Sequence, residues 1–443
     1  MSGRPIYDFI IAYTAGGTVR MHMPGHKGSP LLGPEVLDIT EIKGADYLFE
    51  AEGIIRQSED LAAEIYGAGR TLFSTEGSSL SIKGMLACVR ACLGPDAKIA
   101  AGRNCHRAFI NGCILLGIDP VWIWPETHSD SICASHITPS DVEAVLKNSS
   151  VKAVYITSPD YLGNMADVSR IAEVCHRHGA LLLVDNAHGA YLKFAGEGLH
   201  PLDCGADICC DSAHKTLPAL TGASLLHISR SAPAGLADCA KAEMSLFAST
   251  SPSYVIIQST ERSISELSNG LAERIRSFCK EVSSSRERIS LAGFTTVGDE
   301  PMKITVAPMS AGYTGNDLAD ELRKRGIEPE YSDSAYTVLM PSPYNKDGDL
   351  DKVIKAFEDI PRRYAVKDEL PRLIRPERAM GLREAYFSGS ERIPVDKAAG
   401  RICSRTALSC QPSVPVIAGG EVFDEKIIKI LKSYSIFEAD VVK

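Results

Sequence analysis

The sequence lacks several features that would direct the chain to a membrane, to a nucleic acid or to a structural metal. No run of about 18 apolar residues occurs, and the N-terminus has no basic-then-apolar signal pattern, so we expect a cytoplasmic protein. Thirteen cysteines are present without a ladder of Cys-x-x-Cys pairs, which predicts reduced, mostly buried thiols and no zinc site. A formal net charge of −9 disfavours nucleic acid and anionic membranes as partners.

The composition is that of an ordinary globular protein, because 44% of the 443 residues are hydrophobic and 23% are charged. From residue 71 to about residue 230, short apolar runs alternate with segments of helical spacing. This alternation predicts a mainly parallel sheet with helices on both faces. Near residue 293 the pattern changes to alternating strands with two helices. The expected fold is therefore α/β, with a three-layer α/β/α large domain and a smaller α+β domain.

The same patterns predict a division of the chain into four segments. Residues 1–50 are rich in glycine and proline, which favours an arm or loop system. The large domain extends over residues 51–292, and the small α+β domain over residues 293–365. Residues 366–443 form a C-terminal subdomain, in which we expect a last helix over 424–434.

The most informative segment of the chain is Asp211-Ser212-Ala213-His214-Lys215-Thr216-Leu217, which follows an apolar run that ends in Asp185. This arrangement suits pyridoxal phosphate as the cofactor. Lys215 would hold its aldehyde as a Schiff base, and Asp185 would keep the pyridine nitrogen protonated. Ser212 and His214 would lie near the phosphate. A lysine in such a short motif is more often an ordinary surface residue, so the prediction depends on supporting segments.

One supporting segment, Glu76-Gly77-Ser78-Ser79, falls between a predicted strand and a predicted helix. Gly77 permits a tight turn there. The amides and hydroxyls of Ser78 and Ser79, at the helix N-terminus, can hold a phosphate. The alternative interpretation of this segment is a plain helix cap.

Two further loops carry groups that can contact the cofactor ring. His106, which follows Arg103-Asn104-Cys105, can stack on the ring face. After Asp185, Ala187 can pack against the ring, and His188 can hydrogen-bond to Asp185 or to the substrate carboxylate. The alternatives are a satisfied loop histidine and a turn capped by the aspartate at the end of the strand.

In their order along the chain, these segments resemble the Orn/Lys/Arg decarboxylase family, within the aspartate-aminotransferase-like (fold type I) pyridoxal-phosphate enzymes. The resemblance runs through most of the chain and includes Met23-Pro24-Gly25-His26-Lys27-Gly28, which is similar to the family's N-terminal Pro-Gly-His-Lys signature. Other parts of it are the lysine segment and the stretches 103–106, 185–190, 250–254 and 398–402. The length is similar to that of the short bacterial members.

The resemblance implies a decarboxylase that uses pyridoxal phosphate to convert lysine, ornithine or arginine to the amine and carbon dioxide. The catalytic groups would be Lys215, Asp185, His188 and His106. The resemblance also implies a homodimer or higher homo-oligomer with a shared active site, in which Thr250 and Ser251 of a second subunit complete the phosphate-binding site. A capped helix start is the alternative interpretation of these two residues. Polyamine supply and acid tolerance both fit such an enzyme.

A basic amino acid carries a distal cation, which requires a carboxylate on the protein. The candidates for this carboxylate are Asp46, Glu76, Glu261 and Glu330. Each of these acids can equally be an ordinary surface or capping residue.

The chain departs from the family pattern at positions near the expected substrate. Asn186 stands where the family usually has an acid, and Glu76 precedes Gly77 where the family usually has asparagine. Residues 259–261 and 410–415 also differ from the family's motifs. These departures leave open another fold type I reaction, such as transamination or a lyase reaction, or a weakly catalytic pyridoxal-phosphate-binding protein. No clear arginine is placed like the carboxylate clamp of aminotransferases.

Overall fold

The structure, a computed structural model, describes residues 3–125, 131–134, 136–367, 374–408 and 413–443. The chain forms two compact units, the first from Met1–Ala97 and Gly179–Arg274, the second from Lys98–His178 and Ile275–Lys443. The four-segment division drawn from the sequence stays a prediction. Within the described residues, no helix is both long and apolar enough to cross a membrane.

The helices and strands are numbered in chain order, over the described residues. The α-helices are α1 (Pro5–Ala15), α2 (Ile54–Tyr66), α3 (Gly77–Leu93), α4 (Arg107–Leu116), α5 (Pro139–Lys147), α6 (Val168–Arg177), α7 (Leu192–Ala195), α8 (Ala213–Thr216), α9 (Ala234–Ser245), α10 (Tyr254–Glu266), α11 (Ala272–Leu291), α12 (Gly315–Arg323), α13 (Asp349–Asp359), α14 (Leu382–Phe387) and α15 (Glu425–Ser433). The strands are β1 (Arg70–Ser74), β2 (Lys98–Gly102), β3 (Val121–Ile123), β4 (Val151–Thr157), β5 (Leu181–Asp185), β6 (Ile208–Asp211), β7 (Ser224–Ile228), β8 (Thr295–Val297), β9 (Ile304–Ala307), β10 (Tyr331–Ser332), β11 (Thr337–Leu339), β12 (Ser390–Pro394), β13 (Ala407–Leu408), β14 (Pro415–Ile417) and β15 (Glu438–Val442).

The first unit contains the strands that carry the expected cofactor residues. Its strand order is β1-β7-β6-β5, with β5 and β6 parallel and β7 antiparallel to both β1 and β6. Every residue of β5 is buried, which explains why this strand is a continuous apolar run. Because β5 and β6 are parallel, with Asp185 opposite Cys210, the loops that follow them leave the sheet at the same edge.

The second unit combines a parallel and an antiparallel part. Strands β4, β2 and β3 are parallel neighbours, in that order. The four strands β8 to β11 form an antiparallel sheet, which is the α+β pattern expected after residue 293. Residues of this sheet share one buried core with the C-terminal region, whose members include Tyr331, Val338, Val416, Phe423 and Ile427.

Some elements differ from what the sequence pattern predicts. The predicted arm contains α1, whose Pro5 occupies the first turn, where a missing N–H has no cost. Helices α10 and α11 are separated by an interruption at Asn269 and Gly270, and Gly270 has a φ of 100°. Helix α5 begins at Pro139, because its N-cap Thr138 forms a reciprocal capping box with Asp141.

Candidate active site

The side chains of Lys215 and His188 meet at the edge of the sheet where β5 and β6 end. Lys215 lies in α8, the short turn that directly follows β6, and His188 lies in the loop after β5. The Lys215 Nζ is 3.1 Å from the His188 Nε2, and His188 is only 5% exposed. The parallel pairing of β5 and β6 thus brings together two groups that are distant in sequence.

Asp185 ends β5 beside this pair and is 1% exposed. Its Oδ1 accepts a hydrogen bond from the Ala187 amide at 3.2 Å and lies 3.7 Å from the Cys210 Sγ. A carboxylate buried at the end of an apolar strand is stabilised by a cationic partner. A protonated pyridine nitrogen is a partner of this kind, so the position fits the predicted role.

Two buried hydroxyls next to the lysine have no hydrogen-bond partner among the described residues. They belong to Ser212, which is fully buried, and to Thr216, which is 8% exposed. Buried polar groups are nearly always satisfied in folded proteins, so orphaned hydroxyls indicate a bound group that supplies the missing partner. The Ser212 hydroxyl, next to α8, is suited to an oxygen of a phosphate.

The turn before α3 has the geometry expected of a phosphate-binding loop. Gly77 has a φ of 66°, which favours glycine, and it starts a helix of 17 residues whose first turn contains Ser78 and Ser79. A Cβ added at Gly77 would lie 3.8 Å from the His214 Cε1. The ring of His214 therefore lies beside this turn, and its Nδ1 is 2.8 Å from the Ala223 carbonyl oxygen. Burial lowers the pKa of His214, which favours a neutral ring.

Thr250 and Ser251 lie in the segment before α10, in the first unit. The N-cap of α10 is Ser253, whose hydroxyl accepts from the Ile256 amide at 3.4 Å. The helix start is therefore capped by Ser253, and Thr250 and Ser251 are exposed. Their role across a subunit interface stays a prediction.

His106 lies in the second unit at the N-terminus of α4. Its Nδ1 accepts a hydrogen bond from the Ala108 amide at 3.1 Å, so the imidazole caps the helix. The sequence does not predict this capping role, because histidine is an uncommon N-cap. This hydrogen bond fixes the imidazole ring of His106 in place. The stacking of His106 on a face of the cofactor stays a prediction.

Two of the four predicted substrate carboxylates accept several hydrogen bonds from the protein itself. Asp46, at a φ of 67°, accepts from the amides of Tyr47, Glu52, Gly53 and Ile55 at 2.8–3.1 Å. Burial alone would raise the pKa of Asp46, but these amides outweigh it and lower the pKa. Glu261 is 1% exposed and accepts from the amides of Ile6 and Tyr7 and from the Ser58 hydroxyl. Asp46 and Glu261 therefore anchor backbone rather than a ligand.

The other two predicted carboxylates are exposed. In the first unit, the Glu76 Oε1 accepts from the Ser249 amide at 2.7 Å, directly before the turn at Gly77. In the second unit, the Glu330 Oε1 accepts from the Tyr161 hydroxyl at 2.8 Å. Each is held by a single described hydrogen bond, in contrast to Asp46 and Glu261.

A buried network that the sequence does not reveal lies behind the lysine segment. Both oxygens of Asp211 are used: Oδ2 is 3.1 Å from the His200 Nε2 and 3.2 Å from the His227 Nε2, and Oδ1 accepts from the Asn186 amide group at 2.6 Å. The four side chains are fully buried. Burial would raise the pKa of Asp211, but the two histidines outweigh it and hold the pKa well below its usual range.

This network connects the two loops of the site. Asn186 directly follows Asp185, and Asp211 directly precedes Ser212. Their hydrogen bond therefore joins the ends of β5 and β6 at the point where the cofactor residues begin. The ligand atoms of His200, Cys209 and Asp211 lie within 4.8 Å of one another, and the hydrogen bonds satisfy the carboxylate without an ion.

The chain is similar to known amino-acid decarboxylases in sequence and in fold. The family model described as "Orn/Lys/Arg decarboxylase, major domain" matches residues 4–305. An arginine decarboxylase of Bacillus subtilis (strain 168) is 29% identical over 460 residues, covering 96% of this chain and 92% of that protein. A lysine decarboxylase of Pseudomonas aeruginosa is 25% identical over 58% of this chain and 39% of that protein. The solved structure of the constitutive lysine decarboxylase of E. coli has a TM-score of 0.80 at 17% identity, covering 99% of this chain and 82% of that chain.

The structural likeness confirms the predicted fold class, the aspartate-aminotransferase-like fold type I with its mainly parallel sheet. At such low identity it bears on the fold alone. The part of the site that the first unit assembles on one sheet edge is Asp185, His188, Ser212 and Lys215.

Proposed function

Because the chain belongs to the Orn/Lys/Arg decarboxylase family of pyridoxal-phosphate-dependent amino-acid decarboxylases, we propose that it decarboxylates a basic L-amino acid, with arginine as the preferred substrate over lysine and ornithine. The observation that carries this proposal is the 3.1 Å approach of the Lys215 Nζ to the His188 Nε2, beside the buried Asp185. Arginine is supported by the arginine decarboxylase relative, which covers 96% of the chain, whereas the lysine decarboxylase relative covers 58%.

The residues of the first unit fit pyridoxal phosphate, whose ring, when bound, accepts the electron pair that is released as the carboxylate of the substrate leaves. We assign Lys215 to the aldehyde and Asp185 to the ring nitrogen, where its charge holds a proton. Ser78, Ser79 and the orphaned hydroxyl of Ser212 are assigned to the phosphate.

The histidines have separate assignments in this proposal. His188, within hydrogen-bond distance of Lys215, moves a proton to or from the Nζ. His214, with its neutral ring fixed against the Ala223 carbonyl, packs beside the phosphate turn rather than contributing a charge. His106 is assigned to stacking on a face of the cofactor ring, and Ala187 to packing against the ring. In a homodimer, Thr250 and Ser251 of a second copy would complete the phosphate site.

For the distal cation of the substrate we propose Glu76. It is exposed, it directly precedes Gly77, and a single amide holds its Oε1. A carboxylate can pair with a guanidinium through two parallel hydrogen bonds, which is a reason to expect arginine to bind best. Glu330 in the second unit is the alternative, although its Oε1 accepts from the Tyr161 hydroxyl.

The test is a panel of L-amino acids incubated with the pyridoxal-phosphate-loaded protein, in which amine, carbon dioxide and keto acid are measured by mass spectrometry. We expect agmatine and carbon dioxide from arginine, and neither product from the Lys215→Ala variant. Keto acid in place of carbon dioxide would establish transamination, and the absence of any product from all basic amino acids would mean that the protein has a different substrate or a different reaction.

Glu76→Gln tests the assignment of the distal carboxylate. We expect KM for arginine to rise by about 10-fold or more with a smaller change in kcat, because a lost charge-assisted hydrogen bond costs roughly 1.5–3 kcal/mol. The matched control is Glu197→Gln, which neutralises another exposed acid of the same unit. Equal KM values for the two variants would move the assignment away from Glu76.

A further inference from the structure

Three thiols converge where the C-terminal half of α3 packs against α9 in the first unit. The Cys92 Sγ on α3 is 3.7 Å from the Cys239 Sγ on α9. Cys88, one helical turn before Cys92, also hydrogen-bonds to Cys239. Cys88 is buried, whereas Cys92 and Cys239 are partly exposed. None of these residues belongs to the cofactor site described above.

Glycines on both helices make this approach possible. A Cβ at Gly84 of α3 would lie 2.5 Å from the Met244 Cγ of α9. A Cβ at Gly235 of α9 would lie 3.5 Å from the Cys92 Sγ. The two helix backbones therefore come close on this face, so that cysteine side chains, which are short, reach each other across it.

The thiols differ in acidity. The pKa of Cys239 is lowered to about 7, and the hydrogen bond from Cys88 is the largest cause. The hydrogen bond from Cys92 also lowers this pKa, whereas burial raises it. Burial, followed by the hydrogen bond to Cys239, raises the pKa of Cys92 to about 11. Near neutral pH, Cys239 is therefore partly ionised beside the protonated Cys92 thiol, which is the arrangement of a nucleophilic cysteine and its resolving partner.

We propose that Cys239 and Cys92 form a peroxide-reactive dithiol that closes to a disulfide between α3 and α9. The Cys239 sulfur attacks the O–O bond of a hydroperoxide, takes one oxygen as a sulfenic acid and releases the other as an alcohol, or as water if the oxidant is hydrogen peroxide. The Cys92 sulfur then displaces the sulfenic hydroxyl, which leaves as water with the Cys92 proton. Two electrons pass from the two thiols to the peroxide, and an external thiol reverses the reaction.

The consequence is a redox-dependent clamp on α3. This helix starts at the turn that contains Ser78 and Ser79, and its other end contains Cys92. Oxidation fixes that other end to α9 while the first turn stays unmodified. Because the crosslink forms between helices that are already packed, we expect it to raise the melting temperature of the protein rather than to lower it.

Trypsin separates the three cysteines, which makes the test direct. Cys88 is in peptide 84–90, Cys92 in peptide 91–98 and Cys239 in peptide 231–241. The holoenzyme is treated with a small excess of hydrogen peroxide, its remaining thiols are blocked with N-ethylmaleimide, and it is digested without reductant. We expect peptide 91–98 to be linked to peptide 231–241, with the loss of two hydrogens, and the link to disappear after treatment with dithiothreitol.

Variants separate the two steps. In Cys92→Ser, we expect Cys239 to stop at the sulfenic acid and to be trapped by dimedone, about 10-fold or more faster than the partly exposed Cys204 or Cys279 of the same protein. Cys204→Ser is the matched control and should retain the link.

Several results would overturn the proposal, and the first three come from the unmodified protein, so they do not depend on a variant that folds. These are the absence of any link, a link from peptide 84–90 to peptide 231–241, which would make Cys88 the resolving cysteine, and a covalent dimer on a non-reducing gel. The fourth is oxidation of Cys204 or Cys279 before Cys239.

Discussion

The network around Asp211 gives the sharpest prediction for stability. The substitution is Asp211→Asn, which keeps the shape of the side chain and removes its charge. In the native protein, this carboxylate accepts from the His200 Nε2, the His227 Nε2 and the Asn186 amide group. An asparagine can still accept from the imidazoles through one oxygen. Its own NH2 group then faces the NH2 group of Asn186, so that two donors meet.

The magnitude follows from these three hydrogen bonds. Hydrogen bonds to a charged group contribute about 1.5–3 kcal/mol each, and a neutral acceptor retains part of this. Because the substitution removes the bond from Asn186 and weakens the two from the histidines, we expect Asp211→Asn to reduce the free energy of unfolding by about 2–4 kcal/mol. Because Asp211 adjoins Ser212 and Asn186 adjoins Asp185, we also expect the dissociation constant for pyridoxal phosphate to rise by about 10-fold.

The assay is urea denaturation of the apoprotein followed by circular dichroism, together with a cofactor titration followed by absorbance. Glu197→Gln is the control, since it removes an exposed acid of the same unit. A reciprocal substitution, Asn186→Asp, places two buried carboxylates where an amide and a carboxylate are now 2.6 Å apart. The double variant restores one acid and one amide, so we expect it to be more stable than the sum of the single variants predicts. Additive single effects, or an unchanged midpoint for Asp211→Asn, would refute the reasoning.

Four other predictions concern the lysine segment and buried charged groups. Lys215→Ala should remove the cofactor mass that borohydride fixes to the protein, as found by peptide mapping, and Asp185→Ala should lower turnover by about 100-fold or more; fixation at another lysine would contradict the first. Burial lowers the pKa of His227 below its ordinary value of 6.5, against the opposing effect of Asp211. The unfolded chain therefore binds a proton that the folded chain does not. The free energy of unfolding should fall as the pH drops from 6.5 towards the lower pKa of the folded state, by at most about 1.4 kcal/mol per pH unit and less steeply in His227→Gln. Lys241→Met should cost about 3–5 kcal/mol, because it leaves the buried Glu59 carboxylate, 2.6 Å from the Lys241 Nζ, without its cation; a thermal midpoint equal to that of the native protein would exclude this.

The sequence predicts the elements of the parallel sheets well because their strands are buried on both faces. Strand β4, Val151–Thr157, is one of the short apolar runs, and polar residues limit it on both sides. Helices without a strong amphipathic pattern are not predicted. Helix α9 is rich in alanine and packs on α3 through close approach at glycine, and α4 contains Asn111 and Gly112 in its interior. Such helices form because tertiary packing overrides weak local preference.

The residues of the candidate site also fall into those that the sequence predicts and those that it does not. Lys215, Asp185 and His188 are predictable because each lies at or directly after a strand end, where the topology of a parallel sheet brings loops together. The substrate carboxylates are not predictable, since the sequence does not distinguish a carboxylate that binds a ligand from one that accepts hydrogen bonds from backbone amides. In the structure, Asp46 accepts from loop amides and Glu261 from amides in the first turn of α1, and only these partners reveal their roles.

The departure at Asn186 has a different meaning in three dimensions than along the chain. Compared with the family pattern, a buried acid is missing after Asp185, which suggests a change on the substrate side. In the structure, the Asn186 side chain donates to the buried carboxylate of Asp211 on the neighbouring strand. An acid at position 186 would place a second negative charge beside the buried Asp211 carboxylate, at a cost that burial makes large. The amide at 186 is therefore the side chain that Asp211 requires. The departure preserves the link between the ends of β5 and β6 and does not by itself indicate a different reaction.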